Sequence, residues 1–380
     1  MDSRDEGMDA VAQASARASR FAGCLLGGAV GDAVGLASEG IGPRRLEKLF
    51  PDLDGPRLLG RRGMISDDTE HALFTARALA LGDDDQAQFA LALQQELKLW
   101  LLSLPAGAGA ASLKAAVKSW RGASPQSSGI DSAGNGPAMR APIIGLWAGQ
   151  NDALLCALNQ ASSRLTHTDP RAEAGALCVA LAARDAAQGL SAEQSQPSIQ
   201  SIVRDWMTAA STCPLDKGVE RLLGDVARAA QAAQEGVECW DFARSVVGAE
   251  FEKKGVTGFI SHTVPVALHA AWRHDELREA VLNVVRCGGD TDSIASIAGS
   301  IVGARVGEAG VPREWLGSLF EWPRGVEFIR RTAHALAATR VGVTTESEWP
   351  HARFGSILAR NIFFLTVVLT HGLKRLAPPY

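Results

Sequence analysis

The 380 residues predict an all-α fold, built as one compact multi-helix domain. Three observations carry that expectation. Apolar residues recur at spacings of three and four through most of the chain, which is the helical period. Alternation at period two, the mark of a half-buried strand, is nowhere sustained. Proline and glycine breakers fall between the periodic segments rather than inside them. An apolar share of 46% fills a sizeable core, and a charged share of 21% keeps the surface hydrated. A net charge of −4 gives no reason to expect bulk nucleic-acid binding, which shows as a basic face.

In chain order, residues 1–18 read as a flexible N-terminal tail and 19–345 as the folded domain. Helical periodicity marks 70–81, 86–102, 137–149, 171–187, 217–234, 265–272, 276–286 and 293–306. Gly-Pro at 42–43 and 55–56, with Pro105, Pro125, Pro170, Pro197, Pro214 and Pro312, punctuate the chain. The stretches 121–136, rich in Gly and Ser, and 188–200 read as surface loops.

Residues 346–380 form a C-terminal extension with an apolar helix. Its uncharged run, Ile362–Leu369, lies between Arg360 and the Lys374-Arg375 pair. That run is too short to cross a bilayer, which takes about 20 apolar residues. The expectation is a helix packed on the core, then a partner or dimer surface over 356–373, then an interfacial membrane helix; no transmembrane segment is expected. Cys24, Cys156, Cys178, Cys213, Cys239 and Cys287 contain no CxxC pair, and residues 1–20 lack the apolar run of a secretory signal. Buried free thiols in a cytoplasmic protein are expected.

Two acidic motifs stand out: Ser66-Asp67-Asp68-Thr69, and Asp290-Thr291-Asp292-Ser293 after Gly288-Gly289. Each opens a strongly periodic helix, so each could simply be a cap, since Ser and Asp satisfy first-turn N–H groups and acids suit the helix dipole. Capping needs one acceptor, however, and each motif offers two carboxylates and a hydroxyl. Hard oxygen donors alone are the ligand set for Mg²⁺ or Mn²⁺. If the two helix starts meet, several negative charges share one pocket and call for cations. Gly27, Gly31 and Gly35 place a small face on a helix that also carries Asp32 and leads to Glu39. Gly134-Asn135-Gly136 is a turn opening another helix, where exposed N–H groups suit an anion, though ordinary turn chemistry explains it equally. His167 lies in a loop before a helix. No GxxxxGK[ST], HExxH or GxSxG occurs, which disfavours P-loop, zinc-protease and nucleophile-elbow chemistry.

Taken together, GCLLGGAVGDAVGLASEG, SDDT, GNGPAMR, LTHTDPRA and CGGDTDSIASIAG resemble, in order, the motifs of the ADP-ribosylglycohydrolase family, over roughly residues 19–310. The resemblance implies a compact all-α fold with a central cleft holding two divalent metal ions, Mg²⁺ or Mn²⁺. It implies metal ligation by Ser66, Asp67 and Asp68 from one side, and by Asp290, Asp292 and Ser293 from the other. Relatives often carry Thr in place of Ser66 and Ser293; serine keeps the oxygen donor. The acid/base would be Glu39 or one of the metal-linked carboxylates Asp68 and Asp290. Ser132, Ala133, Gly134, Asn135, Gly136, Met139 and His167 would hold the ADP-ribose, with Ala133 where many relatives have an aromatic residue. The implied substrate is an ADP-ribosylated protein or a small ADP-ribosyl compound. Alternatives are a non-catalytic ADP-ribose-binding or structural member of the same fold, or a hydrolase of another nucleotide or ribosyl compound.

Overall fold

A computed structural model describes residues 3–209, 215–342 and 349–374. Cys213 and the expected domain junction near residue 345 lie outside the described residues. Helix α1 spans Ser3–Gly35, α2 Pro43–Leu49, α3 Asp67–Gly82, α4 Gln86–Leu102, α5 Ala110–Trp120, α6 Ala141–Ala148, α7 Asp152–Thr166, α8 Pro170–Ala187 and α9 Ala192–Ala209. Helix α10 spans Lys217–Gln234, α11 Cys239–Val247, α12 Phe251–Lys254, α13 Ile260–Arg273, α14 Leu277–Arg286, α15 Thr291–Val306, α16 Arg313–Ser318, α17 Val326–Thr339 and α18 Phe354–Lys374. Among the described residues, strand-like pairing is limited to isolated bridges. The all-α expectation therefore holds.

The centre of the molecule is the pair α1 and α15. Gly23, Gly27, Gly31 and Gly35 face Gly303, Gly299, Ala295 and Thr291 in reverse order, so the two helices run antiparallel. A Cβ at Gly31 would lie 2.1 Å from the Ala295 carbonyl oxygen, and one at Gly27 2.3 Å from that of Gly299. The small face read from the sequence is thus the surface on which two backbones touch. Thr291 Oγ1 donates to the Gly35 carbonyl at 2.8 Å and ties the start of α15 to the end of α1. Around this pair pack α3, α8, α13, α14 and α17. Helix α8 is buried on every side from Ala172 to Ala186, as its apolar, alanine-rich sequence requires.

Three expectations are corrected. The stretch 1–18, read as a flexible tail, is helical from Ser3 onward as the first part of α1. Its alternating alanines are strong helix formers, and charge does not oppose a helix that its neighbours continue. The stretch 188–200, read as a loop, contains the start of α9, with Pro197 inside the helix. Ser191 and Gln194 make a reciprocal capping pair there, at 2.9 and 3.4 Å, and Ala192, Ser195 and Ile199 are buried. The periodic segments also omit α5, α7, α11 and α17; α7 is set locally by its Asn151 cap, which accepts from Leu154 N at 3.0 Å.

The third correction concerns the C-terminus. Phe354–Leu373 is long and apolar enough to cross a bilayer by length and composition, as is the stretch Ala14–Ser38, which is buried in the core from Phe21 onward. Counting only the uncharged run misses this, because Arg360 adds a single charge within the longer window. In the structure Ile357, Phe364 and Val367 turn into the domain, while Ile362, Leu365, Leu369 and Leu373 face out.

The backbone contact of α1 with α15 is testable by adding one methyl group. Gly31→Ala should lower stability by about 1–3 kcal/mol or more, because the clash is with backbone on both sides. Gly224→Ala, on the open face of α10 with nothing within 4 Å, should raise it by about 0.5–1 kcal/mol. Thermal unfolding followed by circular dichroism checks both; equal effects at the two positions would refute the close-packing account.

Candidate active site

Helix α3 begins at the first acidic motif, and its capping is done from two places. Ser66 Oγ accepts from Asp68 N at 3.2 Å. From α1, the Asp32 carboxylate accepts from Ser66 N at 2.9 and 3.1 Å, from Thr69 N at 3.2 Å and from Thr69 Oγ1 at 2.5 Å. Asp67 and Asp68 are therefore spared from capping. At the second motif, Asp290 occupies the N-cap of α15 but makes no side-chain cap hydrogen bond. Its Oδ2 accepts from Asn135 Nδ2 at 2.6 Å instead. The capping explanation thus fails for Asp67, Asp68 and Asp290, whereas Asp292 Oδ1 does accept a first-turn N–H, from Ser293 at 3.0 Å.

The two helix starts meet. Ser293 Oγ, on α15, donates to Asp68 Oδ2, on α3, at 3.2 Å across 225 residues of sequence. Ser66 Oγ donates to the same oxygen at 3.1 Å. The Gly288-Gly289 turn that delivers Asp290 is gripped from both sides. Gly40 N donates to Gly289 O at 2.7 Å, and Asp290 N donates to Val256 O at 2.7 Å. Gly289 adopts φ +90, and a Cβ there would lie 2.1 Å from Val256 O. Only glycine fits that position.

Burial and crowding dominate the electrostatics. Burial first, then the carboxylates of Asp32, Glu70 and Glu39, hold Asp67 well above the usual carboxylate range. Asp68 and Asp292 are raised in the same way, each by burial and then by neighbouring acids. Asp290 is raised by burial, and Asp32 is pushed up to about 6 despite its four hydrogen bonds. Asp68 Oδ1 is buried without a hydrogen-bond partner. Asp32, Asp68 and Asp292 each bring a carboxylate oxygen within 4.8 Å of the others. An orphaned buried oxygen in an all-oxygen cluster of acids fits a hard divalent cation such as Mg²⁺ or Mn²⁺. Asp32 is the least available of the three, because its oxygens already serve α3.

A cleft of about 390 Å³ opens on this cluster. Glu39, Asp67, Asp68, Asp290, Asp292 and Ser293 line one part, and Ser132, Gly134, Asn135, Gly136, Met139 and His167 another. All these sequence-named residues therefore come together. Ser66 stands just behind, bonded to Asp68. Ala133 is not among the lining residues; it packs against the core, and its carbonyl accepts from Ile260 N at 2.9 Å. His167 Nδ1 is paired with Thr166 Oγ1 at 2.9 Å, and its ring lies against Gly134 and Gly136. Burial and the Arg140 guanidinium push His167 down to about 3, so it is a neutral ring at physiological pH.

Several residues that shape the cleft were not singled out from sequence. Asp32 is not among them: the sequence marks it as an acid with no apolar role on the glycine-rich helix, and the structure brings it into the acidic group. Arg140, fully buried, donates to Gly136 O at 3.1 Å, Ser162 O at 2.8 Å and Thr166 Oγ1 at 2.7 Å, and so fastens the glycine turn to α7. Gly258 lines the cleft, and its carbonyl receives Asn135 N at 3.0 Å. Gly107, Gly109 and Ser112 form a further rim.

Comparison with known proteins agrees with this geometry. The family described as ADP-ribosylglycohydrolase matches residues 13–346. A protein of Archaeoglobus fulgidus is 30% identical over 306 residues, covering 79% of this chain and 91% of its own. The ADP-ribosyl-[dinitrogen reductase] glycohydrolase of Rhodospirillum rubrum is 26% identical, covering 79% and 90%. The ADP-ribosylhydrolase ARH3 of Homo sapiens is 27% identical, covering 78% and 88%. A solved structure titled ADP-ribosylglycohydrolase-related protein complex shares the fold, with a TM-score of 0.60 at 24% identity, covering 87% of this chain and 100% of that one. The family match takes in both acidic helix starts and all that lies between them, and the chain therefore belongs to the ADP-ribosylglycohydrolase family.

Proposed function

We propose that this protein is a hydrolase, dependent on two divalent ions, Mg²⁺ or Mn²⁺, that cuts an N- or O-glycosidic ADP-ribosyl bond and releases ADP-ribose from a modified protein or a small acceptor. The observation that carries this reading is the Ser293–Asp68 contact, which brings two sets of oxygen donors into one cleft. Membership of the family supports ADP-ribosyl hydrolysis as the general activity.

Cleavage at the anomeric carbon passes through an oxocarbenium-like state, whose positive charge a ring of carboxylates stabilises. Ser66, Asp67 and Asp68 from α3, with Asp290, Asp292 and Ser293 from α15, are the proposed ligands. Ions bound there would supply the charge that orients the ribose hydroxyls and acidifies a water. The chain does the rest. Asn135 pins Asp290, and the Ser66 and Ser293 hydroxyls occupy Asp68 Oδ2, leaving Oδ1 for a ligand. Glu39, which lines the cleft and acts electrostatically on both Asp67 and Asp292, is the proposed acid/base. Asp68 and Asp290 are held by hydrogen bonds, which suits ligands better than proton carriers. Ser132, Gly134, Asn135, Gly136, Met139 and neutral His167 would grip the ADP-ribose. A reducing, cytoplasmic setting belongs to the same proposal, supported by the five described cysteines, which are buried free thiols.

Release of free ADP-ribose from arginine-, serine- and nucleotide-linked substrates should require Mg²⁺ or Mn²⁺ and stop in EDTA. Asp292→Asn should lower kcat at least about 100-fold, the upper range for losing a supporting group at a metal site. Turnover that ignores both EDTA and Asp292→Asn would sink the proposal. Tight ADP-ribose binding without release from any substrate would make the protein a binding module.

The pH dependence of stability follows from the raised carboxylates. A folded state that prefers the protonated acid is destabilised as pH rises above the unfolded value, near 3.9. For Asp32 the loss develops between about 4 and about 6, and Asp67, Asp68 and Asp292, raised in the same direction by burial and neighbouring acids, add to it. In EDTA, Tm should fall across this window relative to the Mn²⁺-loaded protein. The gain in Tm on adding Mn²⁺ should grow from pH 4.5 to pH 7.5 (values on the order of these limits); a pH-independent gain would contradict the acidic cluster as the binding site.

A further inference from the structure

The family match ends at residue 346, yet α18, which begins at Phe354, hydrogen-bonds to two segments that run on into the cleft. Arg360 is 3% exposed. Its Nη2 donates to the carbonyl oxygen of Ile65 at 2.5 Å, the residue directly before Ser66. Arg360 Nε and Nη2 also donate to Glu321 at 2.8 and 2.6 Å, and Glu321 Oε2 accepts from Ile65 N at 3.2 Å. One buried ion pair thus holds both the N–H and the C=O of a single residue. The next side chain on α18, Asn361, donates through Nδ2 to Ser103 O at 2.8 Å and to Ser103 Oγ at 3.0 Å.

Ser103 opens the loop that carries Gly107 and Gly109 to the cleft rim. Leu104 in that loop has a left-handed φ of +57 with an exposed side chain, a conformation that leucine adopts only when its surroundings impose it. Asn361 supplies one restraint. Ala106, packed with Phe364 and Val367 of α18 in a small separate apolar cluster, supplies another. A helix that merely covered the domain would bond to the surfaces of other helices. Arg360 and Asn361 instead bond to the backbone of two irregular segments that lead into the cleft, one to Ser66–Asp68 and the other to the 107–109 rim.

We propose that α18 is a positioning element of the active site, in which Arg360, through Ile65, fixes where Ser66–Asp68 stand and Asn361, through Ser103, fixes the 103–109 rim. The proposal rests on the metal-hydrolase reading above. Two residues then have separate signatures. Arg360 governs metal affinity, as a group that supports ligands does, and Asn361 governs substrate fit at the rim.

The test uses the full-length protein, with Mn²⁺ binding to metal-free protein measured by calorimetry and with KM, kcat and Tm measured alongside. The paired variant Arg360→Met with Glu321→Gln leaves no unpaired buried charge and should weaken Mn²⁺ binding about tenfold or more, with Arg360→Lys in between. Asn361→Ala should leave Mn²⁺ affinity within about twofold while raising KM severalfold, and it carries the test on its own should the paired variant not fold. A fall in Tm with Mn²⁺ affinity, KM and kcat all unchanged well below the transition would reduce α18 to a structural cover and overturn the proposal. Wild-type protein that takes up no Mn²⁺ would remove the metal-hydrolase reading itself, and the positioning role with it.

Discussion

The structure depends on how closely α1 and α15 approach. Two helices with ordinary side chains pack with axes 8–10 Å apart. Here glycine on both partners lets backbone meet backbone, with Gly23 against Gly303 and Gly27 against Gly299. That contact fixes the rotation and the register of α15 on α1. Its register puts Thr291 on Gly35, and hence places Asp290, Asp292 and Ser293 beside the turn that carries Glu39. A shift of one turn would move the second acidic motif by about 5 Å and take it out of reach of Asp68.

The acids are stable only by arrangement. Nature has given the work of capping α3 to Ser66 and to Asp32 of α1, which releases Asp67 and Asp68 for the cleft. At α15 the N-cap carboxylate is left to Asn135 rather than to the helix. The result is a cluster whose burial and mutual repulsion oppose folding until positive charge is added. Burying so many acids together costs stability, a cost that the proposed catalytic role would account for. The surrounding helices, among them α8, buried from Ala172 to Ala186, supply the packing that offsets it.

Around the shared core, the cleft is finished by parts with separate origins in the chain. Arg140 ties the glycine turn to α7, the 258 turn receives Asn135, and α18 reaches in from beyond the family match. Each acts on backbone rather than on a ligand directly. Irregular segments have few hydrogen bonds of their own, so buried side chains from neighbouring elements satisfy and fix them.

Much of the fold and of the site was legible in the sequence. Helical period, the absence of strand alternation and the breakers gave the all-α class, and the glycine spacing gave a close-packed helix face. The oxygen-only chemistry of two motifs, too rich for caps, pointed to a metal, and their order pointed to a family. These signals are local, because period, capping and ligand type are set within a few residues. What the sequence alone left out depends on contacts through space. Asp32 read as an acid that could reach a polar site, but its bonds to Ser66 and Thr69 show only in the fold, and 192–200 looked like part of a loop although buried residues and a capping pair hold it as helix. Arg360 looked like a charge flanking an apolar run, yet it bonds to a backbone 295 residues away. Sequence determined which groups could bind a cation; only the tertiary packing of α1 on α15 decided that they meet, because no local rule constrains two segments separated by 225 residues.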